Sequence, residues 1–162
     1  MTIKTGDRLP EVTLLRMGDG KVDQVALTNL LAGRKVVLFG LPGAYTGTCS
    51  TLHVPSFMRT AAALRAKGVD EIICIATDTP HVMQAWGQAT GGTDAGISFM
   101  SDGASALTLA TGMEFSVPAI GFFNRTKRFS ALVEDGIVTL FNPEPPGSQC
   151  EFSAGEALLA QM

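Results

Sequence analysis

Residues 42–49 read PGAYTGTC, and they hold the side chains most capable of chemistry in this chain. Cys49 follows Thr46 by three positions and Pro42 by seven. A thiol reacts as its thiolate, and a free cysteine ionises only near pH ~8.5. Nucleophilicity at neutral pH therefore needs roughly 3–4 kcal/mol of preference for the charged form. A helix N-terminus contributes about 0.3–1 kcal/mol, or up to about 2 when partly buried, so a cation or further hydrogen bonds must complete the shift. Thr46 offers a hydroxyl that can donate and accept. Pro42 has no N–H and presents an apolar face that limits water at a nearby sulfur. No Lys or Arg lies between Lys35 and Arg59, so the cation must come from a distant segment. Arg125, Lys127 and Arg128 in NRTKRFS are the candidates. Arg128, at the start of a strand, is the best placed; Arg125 reads as a partner in a surface ion pair.

These residues must be positioned by an alternation of strands and helices. Residues 35–41 form a continuously apolar run, the pattern of a strand buried on both faces, and 71–76 (EIICIA) form a second. Short strands are expected at 11–16 and 22–27 around Gly18-Asp19-Gly20. Residues 49–67 have helical character ending at Gly68, with a bend expected at Pro55. Thr79 and Pro80 open a helix to about residue 89. A strand at 97–100 and a helix at 104–110 capped by Gly112 follow. Strands at 119–123, 128–134 and 137–141 close the sheet, the last two as a hairpin around Asp135-Gly136. NPEPPGS is a loop and 154–161 a last helix. This order is that of a thioredoxin-like α/β domain with a central mixed β-sheet flanked by helices, spanning 1–162 as one unit. Right-handed crossover puts the loop after 35–41 at the carboxyl edge of the sheet, where ligands bind in open α/β sheets.

The 162 residues suffice for one hydrophobic core. A net charge of −3 and the absence of basic runs give no reason to expect nucleic acid. No apolar stretch approaches the ~20 residues of a membrane span, and MTIKTGDRLP lacks the apolar core of a signal peptide, so a cytoplasmic protein is expected. Three cysteines without C-x-x-C spacing argue against a disulfide framework and a zinc ribbon. His53 shares a helix face with Cys49. A histidine packing the helix is the more economical reading, because a thiol that is already ionised needs no general base. His81 belongs to a helix surface, and the two histidines form no metal spacing with Cys49.

The stretch PGAYTGTC resembles the peroxiredoxin pattern P-x-x-x-T-x-x-C, with Pro42, Thr46 and Cys49 in its three places. Ser50, His53-Val54-Pro55, Phe57, CIATDTPHVMQAW, SDG at 101–103, KRFSALVEDGIV and NPEP resemble the type II (fifth-class) members in family order. Gly47 departs from the proline more usual there, but none of the proposed contacts uses that side chain. The resemblance implies a thiol peroxidase without metal or organic cofactor. Cys49 would be the peroxidatic cysteine, Thr46 would position the peroxide, Pro42 would shield the site, and Arg128 would be the active-site arginine. It also implies a glutaredoxin/glutathione or thioredoxin reductant and a homodimer.

Two cysteines compete as the resolving thiol. Cys74 lies 25 residues after Cys49, as in plant-type members, but inside a strand pattern. Cys150 lies in the loop PPGSQCEF, about two residues out of register with animal members. Direct reduction by the external thiol, with neither required, is favoured. The residues also leave open a redox sensor or holdase that uses Cys49 oxidation, and a disulfide oxidoreductase on the same fold.

Overall fold

A computed structural model describes residues 2–162. In chain order the elements are β1 (Thr13–Gly18), β2 (Lys21–Ala26), α1 (Leu27–Leu31), β3 (Lys35–Gly40) and a π turn (Cys49–His53) that runs into α2 (Val54–Ala66). Next come β4 (Glu71–Ala76), α3 (Pro80–Thr90), β5 (Ile97–Ser101), α4 (Ala106–Ala110) and β6 (Glu114–Val117). A 3-10 turn (Pro118–Ile120), β7 (Phe122–Thr126), β8 (Phe129–Glu134), β9 (Ile137–Pro143) and α5 (Gly155–Leu159) complete the chain.

Seven strands form a mixed sheet in the order β2-β1-β5-β4-β3-β8-β9. The central β3, β4 and β5 are parallel, and β8 joins β3 antiparallel. Both faces of these strands are covered, which is why β3 and β4 read as unbroken apolar runs. On one face Phe39, Cys74 and Leu132 pack against Phe57 and Leu64 of α2, Met83 and Trp86 of α3, and Leu158 of α5. On the other, Leu38, Ile73, Ile75 and Val133 meet Leu27 and Leu30 of α1 and Leu107 of α4. Both hairpins turn on an Asp-Gly pair at positive φ, Asp19-Gly20 and Asp135-Gly136, which suits the twist of two-residue loops. The α3 helix starts as its sequence dictates: the Thr79 hydroxyl accepts from the Val82 N–H, and Gly91 at φ 79° ends it.

Several boundaries differ from expectation. The strand expected at 119–123 does not close the main sheet. Pro118 starts a tight turn that Gly121 ends at φ 78°, and the strand shifts to Phe122–Thr126, pairing with β6 as a separate two-stranded ribbon. Helix α1 replaces the end of the strand expected at 22–27, because Leu27, Leu30 and Leu31 bury one helical face. Helix α4 starts two residues later than expected, since Ser105 sits at φ 55°. The expected bend at Pro55 takes the form of a π turn immediately before it. The Val54 N–H reaches back to the Cys49 carbonyl, and Pro55 falls in the first turn of α2, where a missing N–H is tolerated.

The C-terminal segment docks on α2 through a close approach. The Gly155 N–H donates to Ser56 Oγ at 2.9 Å, and that hydroxyl donates to the His53 carbonyl at 2.7 Å. A Cβ at position 155 would lie 2.7 Å from the Ser56 carbonyl oxygen. Gly155→Ala is therefore expected to destabilise the fold by about 1–3 kcal/mol, the size of an overpacking change, read as a lower midpoint in denaturant with unchanged slope.

Candidate active site

The loop at residues 41–48 hangs from the carboxyl end of β3, and the β3–β8 register brings a distant cation to it. Gly40 pairs with Phe129, so Arg128 stands level with the first residues of the loop. Glycine at 40 is required for this approach, because any Cβ there would run into the Phe129 ring. The Arg128 guanidinium then spans two groups. Its Nη2 donates to Cys49 Sγ at 3.1 Å, and its Nη1 lies 2.9 Å from His53 Nδ1.

Cys49 is 1% exposed and His53 fully buried. An arginine can only donate, so His53 Nδ1 accepts; a carbonyl can only accept, so His53 Nε2 carries the proton and donates to the Ser153 carbonyl at 3.1 Å. Burial, reinforced by the Arg128 charge, holds the imidazole down to about 3 despite the Ser153 bond. His53 is thus neutral, with both nitrogens occupied. It orients Arg128 and has no free lone pair to take a proton from Cys49. Phe39 packs edge-on to the imidazole at 4.9 Å and stacks on Phe57 at 4.1 Å, so the ring is held by shape as well as by hydrogen bonds.

The loop is clamped from its other side. Asp78, just before α3, accepts from the Ala44 N–H at 2.8 Å and from Arg125 Nη1 at 3.1 Å, and Arg125 also reaches the Pro42 carbonyl at 3.4 Å. Arg125 forms an ion pair, as its position suggested, but a largely covered one that ties down the loop. The Thr46 hydroxyl donates to the Gly43 carbonyl at 2.7 Å, leaving its oxygen free to accept. Trp86 donates to Ser50 Oγ at 3.0 Å, fixing the residue after Cys49. Beside Arg128 an open groove of about 480 Å³ is bounded by Pro42, Thr48, Phe115, Pro145 and Gln149.

The other cysteines differ in setting. Cys74 is fully buried in mid-β4, paired in the ladder with Phe39 and Phe99. Burial pushes its thiol well up, and a charge on Cys49 would push it further. Cys150 is half-buried in the loop after β9, and burial raises its thiol too, partly offset by Arg128. This loop is organised by Glu144. Its carboxylate accepts from the Ser148 and Ser153 hydroxyls and from the backbone N–H groups of Glu151 (3.0 Å), Phe152 (3.4 Å) and Ser153 (2.8 Å). Burial alone would raise the Glu144 carboxyl, but the bonds from Ser148, Ser153 and the backbone hold it at about 2.

Residues 4–159 match the Redoxin family model. The chain is 42% identical over 163 residues to Peroxiredoxin-2E-2, chloroplastic, of Oryza sativa, covering 98% of this chain and 72% of that one. It is 40% identical to Peroxiredoxin-2B of Arabidopsis thaliana, covering 98% of each. The chain belongs to the peroxiredoxins. Among solved structures, reduced Prx3 of Vibrio vulnificus in complex with hydrogen peroxide superposes with a TM-score of 0.93 at 36% identity over 99% of each chain. The peroxiredoxin is accordingly a thiol-dependent peroxidase on a thioredoxin-like fold, of the plant type II kind. Among its described residues, no helix is long and apolar enough to cross a membrane.

The structure brings Arg128 to the loop of Pro42, Thr46 and Cys49, and adds three contacts that the sequence pattern does not mark. Asp78 was visible only as part of a helix-opening turn, Thr77-Asp78-Thr79-Pro80. Glu144 was a lone acid in a proline-rich loop. Ser153 acts through its backbone carbonyl, which no side-chain pattern could mark.

Proposed function

We propose that the peroxiredoxin reduces hydrogen peroxide and small organic hydroperoxides at Cys49. The observation that carries this reading is the Arg128 fork, one nitrogen 3.1 Å from Cys49 Sγ and the other 2.9 Å from His53 Nδ1. A charge-assisted N–H aimed at sulfur favours the thiolate. The thiolate attacks one peroxide oxygen; an S–O bond forms as the O–O bond breaks, and the departing oxygen leaves with the electron pair to become water or an alcohol on protonation. Charge grows on that oxygen in the transition state, beside the same guanidinium. Thr46 supports the peroxide through its free lone pair, and Pro42 keeps bulk water from the sulfur.

An external thiol then attacks the sulfenic acid, releasing water and leaving a mixed disulfide that a second thiol reduces. Glutaredoxin with glutathione, or thioredoxin, fits this step. The burial of Cys74 in mid-sheet disfavours it as an obligatory resolving group, because a disulfide needs Cα atoms within about 7 Å and matched Cβ directions. Cys150, in a loop, is the more accessible optional partner. Exposed Tyr45 on the active loop, with Phe123 in β7 and Ile120 in the turn before it, supports a homodimer formed through loops around the site. A cytoplasmic location is proposed, although named relatives include chloroplastic and mitochondrial forms.

One equivalent of peroxide followed by peptide mass spectrometry tests the reading. The expected product carries one added oxygen on Cys49, trapped by dimedone, in wild type and in Cys74→Ser and Cys150→Ser, while Cys49→Ser consumes no peroxide. Full peroxide turnover in Cys49→Ser would sink it.

A further inference from the structure

We infer that Glu144 is a positioning residue for the peroxidatic centre, acting at Cys49 through Ser153, His53 and Arg128 without touching the sulfur. The inference rests on the assignment of Cys49 as the reactive thiol and adds to it a control point outside the motif.

The chain of contacts is continuous. Glu144 binds Ser153 through both its N–H and its hydroxyl; the Ser153 carbonyl holds His53 Nε2 at 3.1 Å; His53 Nδ1 accepts from Arg128 Nη1 at 2.9 Å; and Arg128 Nη2 donates to Cys49 Sγ at 3.1 Å. A second tie closes the loop, since the Glu144 N–H donates to the Arg128 carbonyl at 2.9 Å. Glu144 thus fixes Arg128 from its backbone side and, through the imidazole, from its guanidinium side.

Apart from the docking of Gly155 on Ser56, backbone bonding does little to order the segment that carries Ser153. Among the described residues, the backbone of 145–153 makes one hydrogen bond to another backbone group, Ser148 N–H to the Pro145 carbonyl. Five donors converge instead on the Glu144 carboxylate. Two oxygens with about four lone-pair positions are the only side-chain chemistry that can gather so many N–H and O–H groups. Without the carboxylate those donors lose their common acceptor, and the Ser153 carbonyl loses its fixed direction. His53 is then free to tilt, and the Arg128 fork loses the partner that aims its second nitrogen at sulfur. Charge-assisted hydrogen bonds weaken steeply with misalignment, so a small tilt is felt at the thiolate.

The titratable and charged groups facing this relay are Cys49, His53, Arg128, Glu144, Cys150, Cys74 from β4 and Glu156 from α5. The test compares alkylation of Cys49 by iodoacetamide at pH 6 and pH 9.5, followed by peptide-resolved mass spectrometry. Alkylation involves neither peroxide nor reductant, so its outcome is separate from that of the peroxidase assignment. The ratio of the two rates reports thiolate stabilisation and cancels changes in access. In Glu144→Ala the ratio is expected to fall about three- to sixfold. Glu144→Gln, which keeps the volume and one acceptor oxygen, should fall about twofold in the same direction.

The double variant Glu144→Ala, His53→Leu should show no lower ratio than His53→Leu alone, since both act through one path. An unchanged ratio in folded Glu144→Ala, or in Glu144→Gln where only that variant folds, overturns the inference. So does an additive double variant. A purely structural role would lower the thermal midpoint and leave the ratio where it was.

Discussion

Arg128→Met slows formation of the Cys49 sulfenic acid by about 10²–10³-fold, the loss expected when one preorganised donor is removed from a site of developing charge. The geometry gives two reasons for so large an effect. The N–H at 3.1 Å from the sulfur is lost, and with it the donor nearest the departing oxygen. The buried His53 Nδ1 is also left without its partner at 2.9 Å, so the imidazole can rotate within the pocket of Phe39 and Phe57. Arg128→Lys should recover little of the rate. A single ammonium cannot hold both the sulfur and the imidazole nitrogen with the planar fork that arginine supplies. Stopped-flow fluorescence measures this directly, because the single tryptophan, Trp86, is hydrogen-bonded to Ser50, the residue after Cys49. A methionine variant reacting within threefold of wild type would remove Arg128 from the chemistry.

Acid should unfold the peroxiredoxin through His53 before any carboxylate contributes. In the unfolded chain a histidine takes a proton below about 6.5, whereas the buried imidazole resists until about 3. Across that window the unfolded state binds one more proton, so stability is full above 6.5 and falls as pH drops, by about 1.4 kcal/mol per unit. Glu144 adds in the same direction at lower pH. Its carboxyl, held at about 2, contributes stability above its ordinary range that is lost as pH falls toward 2. Between pH 6.5 and 5 the histidine's own contribution falls by about 1.6 kcal/mol. His81, the other histidine, is exposed.

His53→Gln is the informative variant. Its amide can accept from Arg128 and donate to Ser153 while carrying no titratable group. Urea denaturation at pH 6.5 and 5 should show a fall about 1.6 kcal/mol larger in wild type than in His53→Gln. Equal slopes in the two proteins would contradict the buried neutral assignment.

The central sheet was legible because the parallel strands β3 and β4 are covered on both sides and so wrote unbroken apolar runs into the chain. The Asp-Gly hairpins and the Thr79-Pro80 helix start were legible for the same local reasons that fold them. The ribbon of β6 and β7 was not. Phe122 is half-buried and Phe123 is exposed, so their alternation carried no face preference to place the strand. Helix α1, five residues reading LTNLL, is too short for a helical period to stand out.

Within the site, Cys49, Thr46 and Pro42 stood in one motif, and the need for a cation directed attention to Arg128. The partners of that cation were hidden for different reasons. His53 looked like a packing residue, and it does pack, but it also accepts from Arg128. Glu144 lies 95 residues beyond Cys49 and meets it only through a backbone carbonyl and two side chains, a path that no sequence spacing encodes.

The central sheet also separates the peroxiredoxin into two sides with different freedom to change. Cys49, Cys74, Phe39, Phe57 and Trp86 all lie in the layer beneath α2, α3 and α5. The opposite layer, built around Leu27, Leu38, Ile75, Met100 and Val133, contains no thiol. Stabilising changes commonly cost activity when they stiffen a working centre. Here, hydrophobic repacking of the far layer should raise thermal tolerance while leaving catalytic rates alone, so this half of the molecule is the natural place for a lineage, or an engineer, to adapt the enzyme to heat.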